Sequence, residues 1–535
     1  MASVVVRSGM DTPDFLIIGG GTAGCILAAR LSEDPATTVL LLEAGPPDRD
    51  PWIHIPAGYA RLFKSRRYDW GYATETEPAL HGRSIAWPRG RVLGGSGSVN
   101  GMGYLRGSPH DYDRWAQAGA RGWSYTDVLP AFRRIENWAG DPGDTRGKGG
   151  PIDVTAPALS PGGRAFVEAC VAEGFPRQRD VNDGPIEGAG PIQLNVSRGL
   201  RRSTARGYLA PARHRPNLRV ETGVTVHRLL IENGRVTGAV AHRPGAEPFI
   251  IQAARTVLTA GAIATPQLLM LSGIGDGAAL QALGITPTLH RPAVGQNLQD
   301  HLIARAVFRT RPAGTLNEVM ANPLRTVAMA AHYALRRRGP LAIGAGEACL
   351  FARLTQGAEE AEAQLMFINF SLVPGAGYTL ARHPGMMINF GQCRPDSRGT
   401  IILRSPDPAD RPVIRPNYLD APGDQHLFVQ SARLAHRLGT AAPFAALIEE
   451  DLNLPPVDDA KLLDQLRREA TTVYHPCGTA RMGADDAAVV DPGLRVRGID
   501  SLYVADASVF PLIPSVNIQP AVMMVAEQAA GLVRR

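Results

Sequence analysis

The stretch DFLIIGGGTAG at residues 14–24 decides the fold of this chain. Residues 14–18 read as a buried strand, and residues 25–31 read as a helix with small residues on one face. A second strand at residues 39–42 ends at Glu43. Strand, glycine turn, helix and strand in this order predict a βαβ unit that binds a dinucleotide.

The glycines of this stretch have the spacing Gly19-x-Gly21-x-x-Gly24. Gly19 permits the tight turn, Gly21 lets the backbone approach a pyrophosphate, and Gly24 lets helix and strand pack closely. The start of the helix offers free N–H groups to phosphate. A carboxylate at Glu43 can accept hydrogen bonds from ribose hydroxyls and disfavours a 2′-phosphate. These features leave FAD and NAD open, and a plain glycine turn is the alternative interpretation.

Two other segments carry chemistry. The segment PRGRVLGGSGSVNGM at residues 88–102 is rich in Gly and Ser, so it exposes backbone N–H groups to a ligand, unless it is a flexible linker. His475 lies in a Pro- and Gly-bounded turn, and Pro520 is placed to begin a C-terminal helix. Without further evidence His475 is only a candidate, because a surface or core role is common for a histidine.

Composition excludes several classes of protein. The net charge is +6, but the 535 residues show no long basic run, so we expect no nucleic-acid partner. Five scattered cysteines argue against a disulfide framework and against a metal site, and they fit a reducing compartment. Residues 1–8 lack the apolar core of a signal peptide, and no apolar run is long enough for a membrane span. We therefore expect a cytoplasmic protein, and peripheral association with a membrane surface stays open.

The rest of the chain predicts a second unit. A hairpin is indicated around Asn233-Gly234 within residues 218–240, and a buried strand at 256–260 leads into a helix through residue 270. From about residue 302 to 470 the pattern changes to helices at 425–438 and 460–468 with strands at 364–370 and 386–392. The final segment reads as a strand at 502–505 and a helix at 520–533. This order indicates a discontinuous domain with an insertion.

Five ordered segments resemble the glucose–methanol–choline (GMC) family of FAD-dependent oxidoreductases. After the glycine stretch they are GRVLGGSGSVN at 90–100, GAIATPQLLMLSGIG at 261–275, VGQNLQDH at 294–301, HPCGTARMG at 475–483 and VADAS at 504–508. The resemblance is strongest to the branch of choline, alcohol, sorbose and polyethylene glycol dehydrogenases and hydroxymethylfurfural oxidase. It implies an α/β fold, with a discontinuous Rossmann-type FAD-binding domain (13–155, 203–300 and 471–535). An inserted α+β substrate-binding domain, an antiparallel sheet backed by helices, would comprise 156–202 and 301–470.

The resemblance also implies roles for individual residues. His475 matches the catalytic base, and Asn517 matches its partner. Substrate would contact Glu347, Phe367, Asn369 and Phe370. The implied FAD contacts are Gly19, Gly21, Thr22, Ala23, Gly24, Glu43, Ala44, Arg91, Leu93, Gly94, Ser98, Asn100, Gly101, Met102, Val224, Ala260, Gly261, Tyr474, Asp506, Ala507, Asn517, Ile518 and Gln519.

Two positions depart from the family pattern. Gly97 stands where the family usually has Ser, so one hydroxyl near the cofactor is missing. Val99 stands where members with covalently attached FAD carry His, so we expect non-covalent FAD.

The resemblance implies oxidation of a primary alcohol or polyol, with hydride transfer to flavin N5 and His475 as base. We favour a quinone or dye-type electron acceptor. The alternatives are an oxidase that uses oxygen and forms hydrogen peroxide, and an FAD-containing hydroxynitrile lyase. A non-catalytic flavin-binding module fits poorly, because both His475 and Asn517 are present.

Overall fold

The structure is a computed structural model that describes residues 5–6, 12–63, 65–344, 346–374, 378–454 and 457–535. The predicted lack of a signal peptide rests on residues 1–8, and apart from the strand Val5–Val6 these lie outside the described residues.

A five-stranded parallel sheet forms from three separated parts of the chain. Its strands, in spatial order, are Leu218–Thr222, Val39–Glu43, Phe15–Ile18, Arg255–Leu258 and Leu502–Val504. The inner strands are apolar and buried, as expected when helices cover both faces of a parallel sheet. The helix Thr22–Leu31 connects the first two strands of the chain in this sheet. The predicted βαβ unit and Rossmann-type sheet are confirmed.

The C-terminal helix, Gln519–Leu532, closes this part of the fold. It packs against Thr22–Leu31, and the guanidinium of Arg30 lies 2.9 Å from the carboxylate of the buried Glu527. Pro520 lies in its first turn, where a missing N–H is harmless. The two ends of the chain are therefore tied together at the dinucleotide-binding unit.

A second, antiparallel sheet has six strands in the order Ile448–Asp451, Leu302–Thr310, Gly385–Gln392, Ala363–Ile368, Ala348–Ala352 and Gly188–Pro191. A seventh, Thr471–Thr472, also pairs with Leu302–Thr310. Apolar side chains of this sheet share a core with the helices Pro161–Ala172 and Pro422–Thr440. The predicted antiparallel sheet backed by helices is confirmed.

The other longer helices lie around these two sheets. They are Pro109–Gln117, Tyr125–Ile135, Gly261–Leu271, Gly277–Ala282, Leu316–Ala321, Pro323–Arg336 and Asp459–Glu469. In the part of the chain that the structure describes, no helix combines the length and the apolar character that a membrane span needs.

The structure differs from the sequence interpretation in three places. The hairpin strands are Thr225–Glu232 and Arg235–His242, whereas Leu218–Thr222 belongs to the parallel sheet beside Val39–Glu43. Alternation of apolar and polar residues alone does not distinguish a strand of the hairpin from a strand of the parallel sheet. The sequence of residues 50–120, rich in Gly, Trp and Tyr, predicts an irregular segment, but the structure has the helix Pro109–Gln117 there. A capping box at Ser108 and Asp111 begins this helix.

The third difference concerns a domain limit. Thr471–Thr472, placed at the start of the last FAD-binding segment, pairs instead with the antiparallel sheet. A two-residue strand gives no periodicity that sequence reasoning could use. The division of the chain into two domains otherwise stays a prediction.

Candidate active site

A cavity of about 1020 Å³ lies between the two sheets. One end of the cavity lies at the carboxyl ends of the parallel strands. Its wall there consists of Gly19, Glu43, Val224, Ala260 and Asp506. At the other end it reaches one face of the antiparallel sheet. Ligands of open α/β sheets bind outside the carboxyl ends of the strands, so this is the expected place for a dinucleotide.

The glycine turn has the shape that a pyrophosphate requires. A Cβ atom on Gly24 would lie 2.0 Å from the carbonyl oxygen of Gly19, so close packing of the chain itself demands glycine there. A Cβ on Gly21 would meet its nearest protein atoms only at 3.9 Å. The protein does not need glycine at Gly21, and the free space there is available to a ligand at the start of the helix Thr22–Leu31.

Glu43 lies at the end of its strand and is held by two backbone groups. Its carboxylate accepts hydrogen bonds from the N–H of Gly20 at 2.8 Å and from the N–H of Gly45 at 2.7 Å. Burial raises the pKa of Glu43 to about 7, although these N–H groups and Arg91 oppose the shift. The carboxylate is thus fixed in place at the cavity wall, with lone pairs left for ribose hydroxyls.

Most of the predicted cofactor contacts line this cavity. They are Gly19, Gly21, Thr22, Ala23, Glu43, Ala44, Asn100, Gly101, Met102, Val224, Ala260, Gly261, Tyr474, Asp506, Ala507, Asn517, Ile518 and Gln519. Residues far apart in the chain therefore meet at one surface. The donor set, the free space at Gly21 and the fixed carboxylate of Glu43 fit an FAD molecule.

Five predicted contacts do not line the cavity but support its wall from behind: Gly24, Arg91, Leu93, Gly94 and Ser98. Ser98 Oγ donates to the carbonyl oxygen of Leu93 at 2.8 Å, and Gly94 N–H donates to the carbonyl oxygen of Gly20 at 2.7 Å. The guanidinium of Arg91 lies 5.1 Å from the ring centroid of Trp70. Direct contact of these residues with FAD stays a prediction.

His475 is held at the cavity by its backbone. Its N–H donates to the Asp300 carboxylate at 2.7 Å, and that carboxylate also accepts from Thr472 Oγ1 at 2.6 Å. The preceding residue, Tyr474, has a left-handed backbone with φ of 70°. Such a conformation is unfavourable for a bulky residue, and its surroundings must hold it. Thr472 Oγ1 and Arg89 do so, through bonds to the Tyr474 N–H at 2.6 Å and to its carbonyl at 2.9 Å.

Hydrogen bonds fix which nitrogen of His475 carries the lone pair. Nε2 of His301 lies 2.8 Å from the carbonyl oxygen of Cys393, which can only accept, so this nitrogen carries the hydrogen. Nδ1 of His301 is then an acceptor, and it lies 2.9 Å from Nδ1 of His475. His475 therefore donates from Nδ1 and leaves the lone pair on Nε2. We infer the tautomer from this network of bonds.

Both imidazoles are neutral at physiological pH. Burial lowers the pKa of His301 to about 4. Burial, together with His301 and Arg89, holds the pKa of His475 well below its ordinary value. A neutral imidazole with a free Nε2 lone pair is the form that can accept a proton.

Asn517 stands next to this lone pair. Its Nδ2 donates to Nε2 of His475 at 3.2 Å, and its Oδ1 has no partner among the described residues. Nearby, the side-chain oxygen of Gln519 accepts from Asn100, whereas Nε2 of Gln519 is likewise without a partner there. These buried polar atoms at the cavity wall fit a polar ligand, because buried polar groups are normally satisfied.

The departure at Gly97 has a steric basis. A Cβ atom at this position would lie 2.7 Å from Nε2 of Gln519 and 2.7 Å from Oγ1 of Thr22. Both neighbours are polar groups of the cavity wall. A serine here would require one of them to move, so glycine lets Gln519 approach this loop closely.

Three of the four predicted substrate residues, Glu347, Asn369 and Phe370, line the cavity. The carboxylate of Glu347 accepts from the N–H of Ser160 at 3.0 Å, so part of its role is structural. Phe367 is the exception and corrects the prediction. Its fully buried ring stacks on Phe166 on the helix-covered side of the sheet, because side chains alternate between the two faces of a strand.

Sequence reasoning missed an aromatic group at the substrate end. The rings of Phe63 and Tyr378 stack with centroids 5.5 Å apart, and Phe63 also contacts the ring of Tyr474 at 5.3 Å. The hydroxyls of Tyr378 and Tyr474 are 2.5 Å apart. The guanidinium of Arg305 lies 5.8 Å from the Tyr378 centroid. These residues come from distant segments, and the one signal available was that Phe63 lies within the irregular stretch 50–120, since long irregular segments are often functional.

His301 was missed in a different way. It ends one of the segments that carry the family resemblance, but the sequence assigns it no role. The polar pair Asp300-His301 directly before the apolar strand Leu302–Thr310 was a signal that could have singled it out.

A parallel-sheet dinucleotide fold with a buried, neutral histidine at its cavity is typical of cofactor-dependent oxidoreductases. The family models described as GMC oxidoreductase match residues 13–303 and 395–526, and the chain belongs to the GMC oxidoreductase family. It is thus an FAD flavoprotein and an oxidoreductase that acts on CH–OH donors.

Similar proteins align over nearly the whole chain. An uncharacterized GMC-type oxidoreductase of Mycobacterium tuberculosis is 41% identical over 98% of this chain and 100% of that protein. An oxygen-dependent choline dehydrogenase of Rhizobium etli is 39% identical, over 97% of this chain and 94% of its own length. The crystal structure of pyridoxine 4-oxidase from Mesorbium loti has a TM-score of 0.89 at 35% identity, covering 97% of this chain and 98% of that one.

We expect acid precipitation to release all of the flavin. Val99 lies at the cavity wall, and its side chain has no nucleophilic atom that could bond to the isoalloxazine ring. The measurement is flavin absorbance in the supernatant and in the washed pellet of acid-denatured protein. Yellow colour that stays with the pellet would contradict non-covalent binding.

Proposed function

We propose that this enzyme oxidises an uncharged primary alcohol or polyol to the carbonyl compound, with His475 as the base and a quinone or dye-type carrier as electron acceptor. The observation that carries the proposal is the lone pair on Nε2 of His475 at the cavity, whose hydrogen-bond donor is the amide of Asn517. The aromatic group around Phe63 would enclose the rest of the substrate.

The chain's own residues would divide the reaction between them. His475 Nε2 takes the proton of the alcohol hydroxyl, while Asn517 Nδ2 donates a hydrogen bond to the alcohol oxygen. FAD, when bound, supplies the acceptor for the hydride that leaves the alcohol carbon. His301 keeps the His475 lone pair on Nε2, and Asp300 holds the backbone of His475 in place. His301 is therefore a positioning residue.

Arg305 argues for an uncharged substrate. Its guanidinium lies at the cavity wall close to the ring of Tyr378, and its buried Nε has no hydrogen-bond partner among the described residues. A fixed cation repels a quaternary ammonium group and competes for the aromatic face that such a group would use. This separates the proposed substrate from choline, which names several relatives.

An anaerobic screen of alcohols by flavin bleaching tests the proposal. We expect uncharged primary alcohols to bleach the flavin at least tenfold faster than choline at equal concentration. Arg305→Met should reduce the ratio between the bleaching rates with uncharged alcohols and with choline. Arg213→Met, which replaces an exposed arginine outside the cavity wall, should leave this ratio unchanged. Faster bleaching by choline in the unmodified enzyme would overturn the proposed substrate class.

The same screen separates the alternatives. A hydroxynitrile lyase would not be bleached by any alcohol, because its flavin takes no part in the reaction. After bleaching, reoxidation by a quinone dye and by oxygen can be compared directly. If oxygen alone supports turnover as fast as the dye, the enzyme is an oxidase that forms hydrogen peroxide. The choline dehydrogenases among the relatives are named oxygen-dependent, which makes this comparison necessary.

The pH dependence should show the lowered pKa of His475. An ordinary imidazole titrates at about pH 6.5. Since burial lowers the pKa of His475, its base form persists to lower pH, and the rate of anaerobic bleaching should stay constant from about pH 7 upward. The rate should fall only in acid, as His475 gains a proton. A rate that still rises steeply above neutral pH would contradict this assignment.

We expect His301→Leu to slow flavin bleaching and His301→Gln to restore most of the rate. Leucine leaves Nδ1–H of His475 without an acceptor, at a cost of about 1–3 kcal/mol, or roughly 5- to 150-fold. Glutamine can accept from His475 and donate to the Cys393 carbonyl. The measurement is single-turnover bleaching at saturating alcohol, with FAD content as the control. Equal rates for both variants would show that His301 only fills space.

A further inference from the structure

The helix Pro323–Arg336 presents an apolar stripe to solvent. Leu324, Val327 and Leu335 are 81%, 68% and 84% exposed, and Ala331 is exposed between them. Their spacing of three, four and four residues places all four on one face of the helix. An amphipathic helix of a soluble domain normally turns this face to the core, so the exposed stripe needs a partner.

The opposite face of the helix is fixed to the protein. Tyr333 is buried, and its hydroxyl donates to the carbonyl oxygen of Gly199 at 2.8 Å. At the N-terminus the side chain of Asn322 accepts from the N–H groups of Leu324 and Arg325 at 3.0 and 3.2 Å. The helix is thus held in an orientation that keeps its apolar stripe outward.

Cations flank the stripe, and acidic residues are absent from its segment. Arg325 and Arg336 lie beside the stripe on the helix, and Arg337 and Arg338 follow directly after it. Between residues 319 and 346 the sequence contains no Asp or Glu. An apolar face bordered by arginines is complementary to a surface that combines acyl chains with negative headgroups.

We propose that this helix docks the enzyme on an anionic lipid bilayer. The stripe would enter the boundary between headgroups and acyl chains, and the arginines would contact the lipid phosphates. This inference does not depend on which alcohol or acceptor the enzyme uses.

The helix Pro323–Arg336 lies next to residues that line the cavity. Leu316 precedes it, Pro340 and Ile343 follow it, and all three line the cavity. A docked helix therefore brings this end of the cavity to the membrane surface. A lipophilic alcohol or a membrane-dissolved acceptor could then enter the cavity without crossing bulk water.

A second copy of the chain is a poorer partner for this face. In a two-fold dimer through the helix, the same surface meets itself, so Arg325 and Arg336 of one copy would face the arginines of the other. The segment supplies no carboxylate to compensate them. Like charges across an interface oppose such pairing.

The test is co-sedimentation of the FAD-loaded enzyme with vesicles of phosphatidylcholine, with and without phosphatidylglycerol. We expect binding to the vesicles with phosphatidylglycerol, weakened by added salt, and little binding to phosphatidylcholine alone. The double variant Leu324→Glu, Leu335→Glu should lower the bound fraction at least tenfold. The matched control, Val171→Glu, changes an exposed apolar residue on the helix Pro161–Ala172 and should bind like the unmodified enzyme.

Oxidation of a soluble alcohol with a soluble dye should be the same in all three proteins, which shows that the variants are folded. Absence of vesicle binding by the unmodified enzyme, or equal binding by the double variant, would overturn the proposal. If the unmodified enzyme is instead a dimer that Leu324→Glu dissociates, the face is an interface between copies of this chain.

Discussion

His475→Ala should retain FAD and the fold but lose about 10²- to 10⁴-fold in the rate of flavin reduction by alcohol, the typical contribution of a positioned base. This corresponds to about 3–5 kcal/mol of transition-state stabilisation. The loss follows from the geometry, because Nδ1 of His475 donates to His301 and its lone pair therefore lies on Nε2, where it can accept a proton. The measurement is single-turnover bleaching of the flavin without oxygen.

Two comparisons make this result interpretable. Asn517→Ala should reduce the rate less, because the amide of Asn517 donates one hydrogen bond and accepts no proton. Flavin content of His475→Ala should match the unmodified enzyme, since the backbone N–H of residue 475 still reaches Asp300. Its unfolding temperature should fall by a small amount, because Nδ1 of the buried His301 loses its donor. An unchanged reduction rate in His475→Ala would eliminate it as the base.

Glu43→Ala is expected to weaken FAD binding by about 1.5–3 kcal/mol, the range for hydrogen bonds to a charged group. The lost bonds are those that the carboxylate would make to ribose hydroxyls. The variant also leaves the N–H groups of Gly20 and Gly45 without their acceptor, which loosens the turn before the phosphate site. The variant should be largely free of FAD when purified, and FAD titration of the deflavinated protein gives the affinity.

Glu221→Ala is the matched control for this variant. Glu221 lies on the neighbouring strand Leu218–Thr222, is buried like Glu43, and pairs with Arg219 and Arg243. It does not line the cavity. Its loss should lower stability and leave FAD affinity nearly unchanged. Full flavin occupancy of Glu43→Ala at limiting FAD would refute the role given to Glu43.

Local sequence was sufficient for the dinucleotide-binding unit. The strand Phe15–Ile18, the helix Thr22–Leu31 and the strand Val39–Glu43 follow one another directly, so pattern and spacing determine them together. The strand Leu218–Thr222 was misassigned, because its partner Val39–Glu43 is distant in the chain and the local alternation fits a hairpin equally well.

The residues of the candidate site were likewise predictable only in part. His475 and Asn517 could be named from motifs, but their roles rested on resemblance. Phe367 was predicted at the cavity although its strand turns it to the core, because the face of a strand that meets a ligand depends on how the sheet is packed. The exposure of the apolar stripe on Pro323–Arg336 could not be predicted either. The spacing of apolar residues shows that a helix has an apolar face, but not whether this face points to the core or to solvent.

The sequence by itself therefore determined the Rossmann-type unit, the family and the main candidates for cofactor and base, because these depend on contiguous patterns. Only the tertiary structure decided which nitrogen of His475 carries the proton. His301 and His475 are 174 residues apart, yet their Nδ1 atoms lie 2.9 Å from each other, and the Cys393 carbonyl sets the direction of the hydrogen bond between them. The position of a proton on an imidazole depends on donors and acceptors in space, and no local pattern of residues records it.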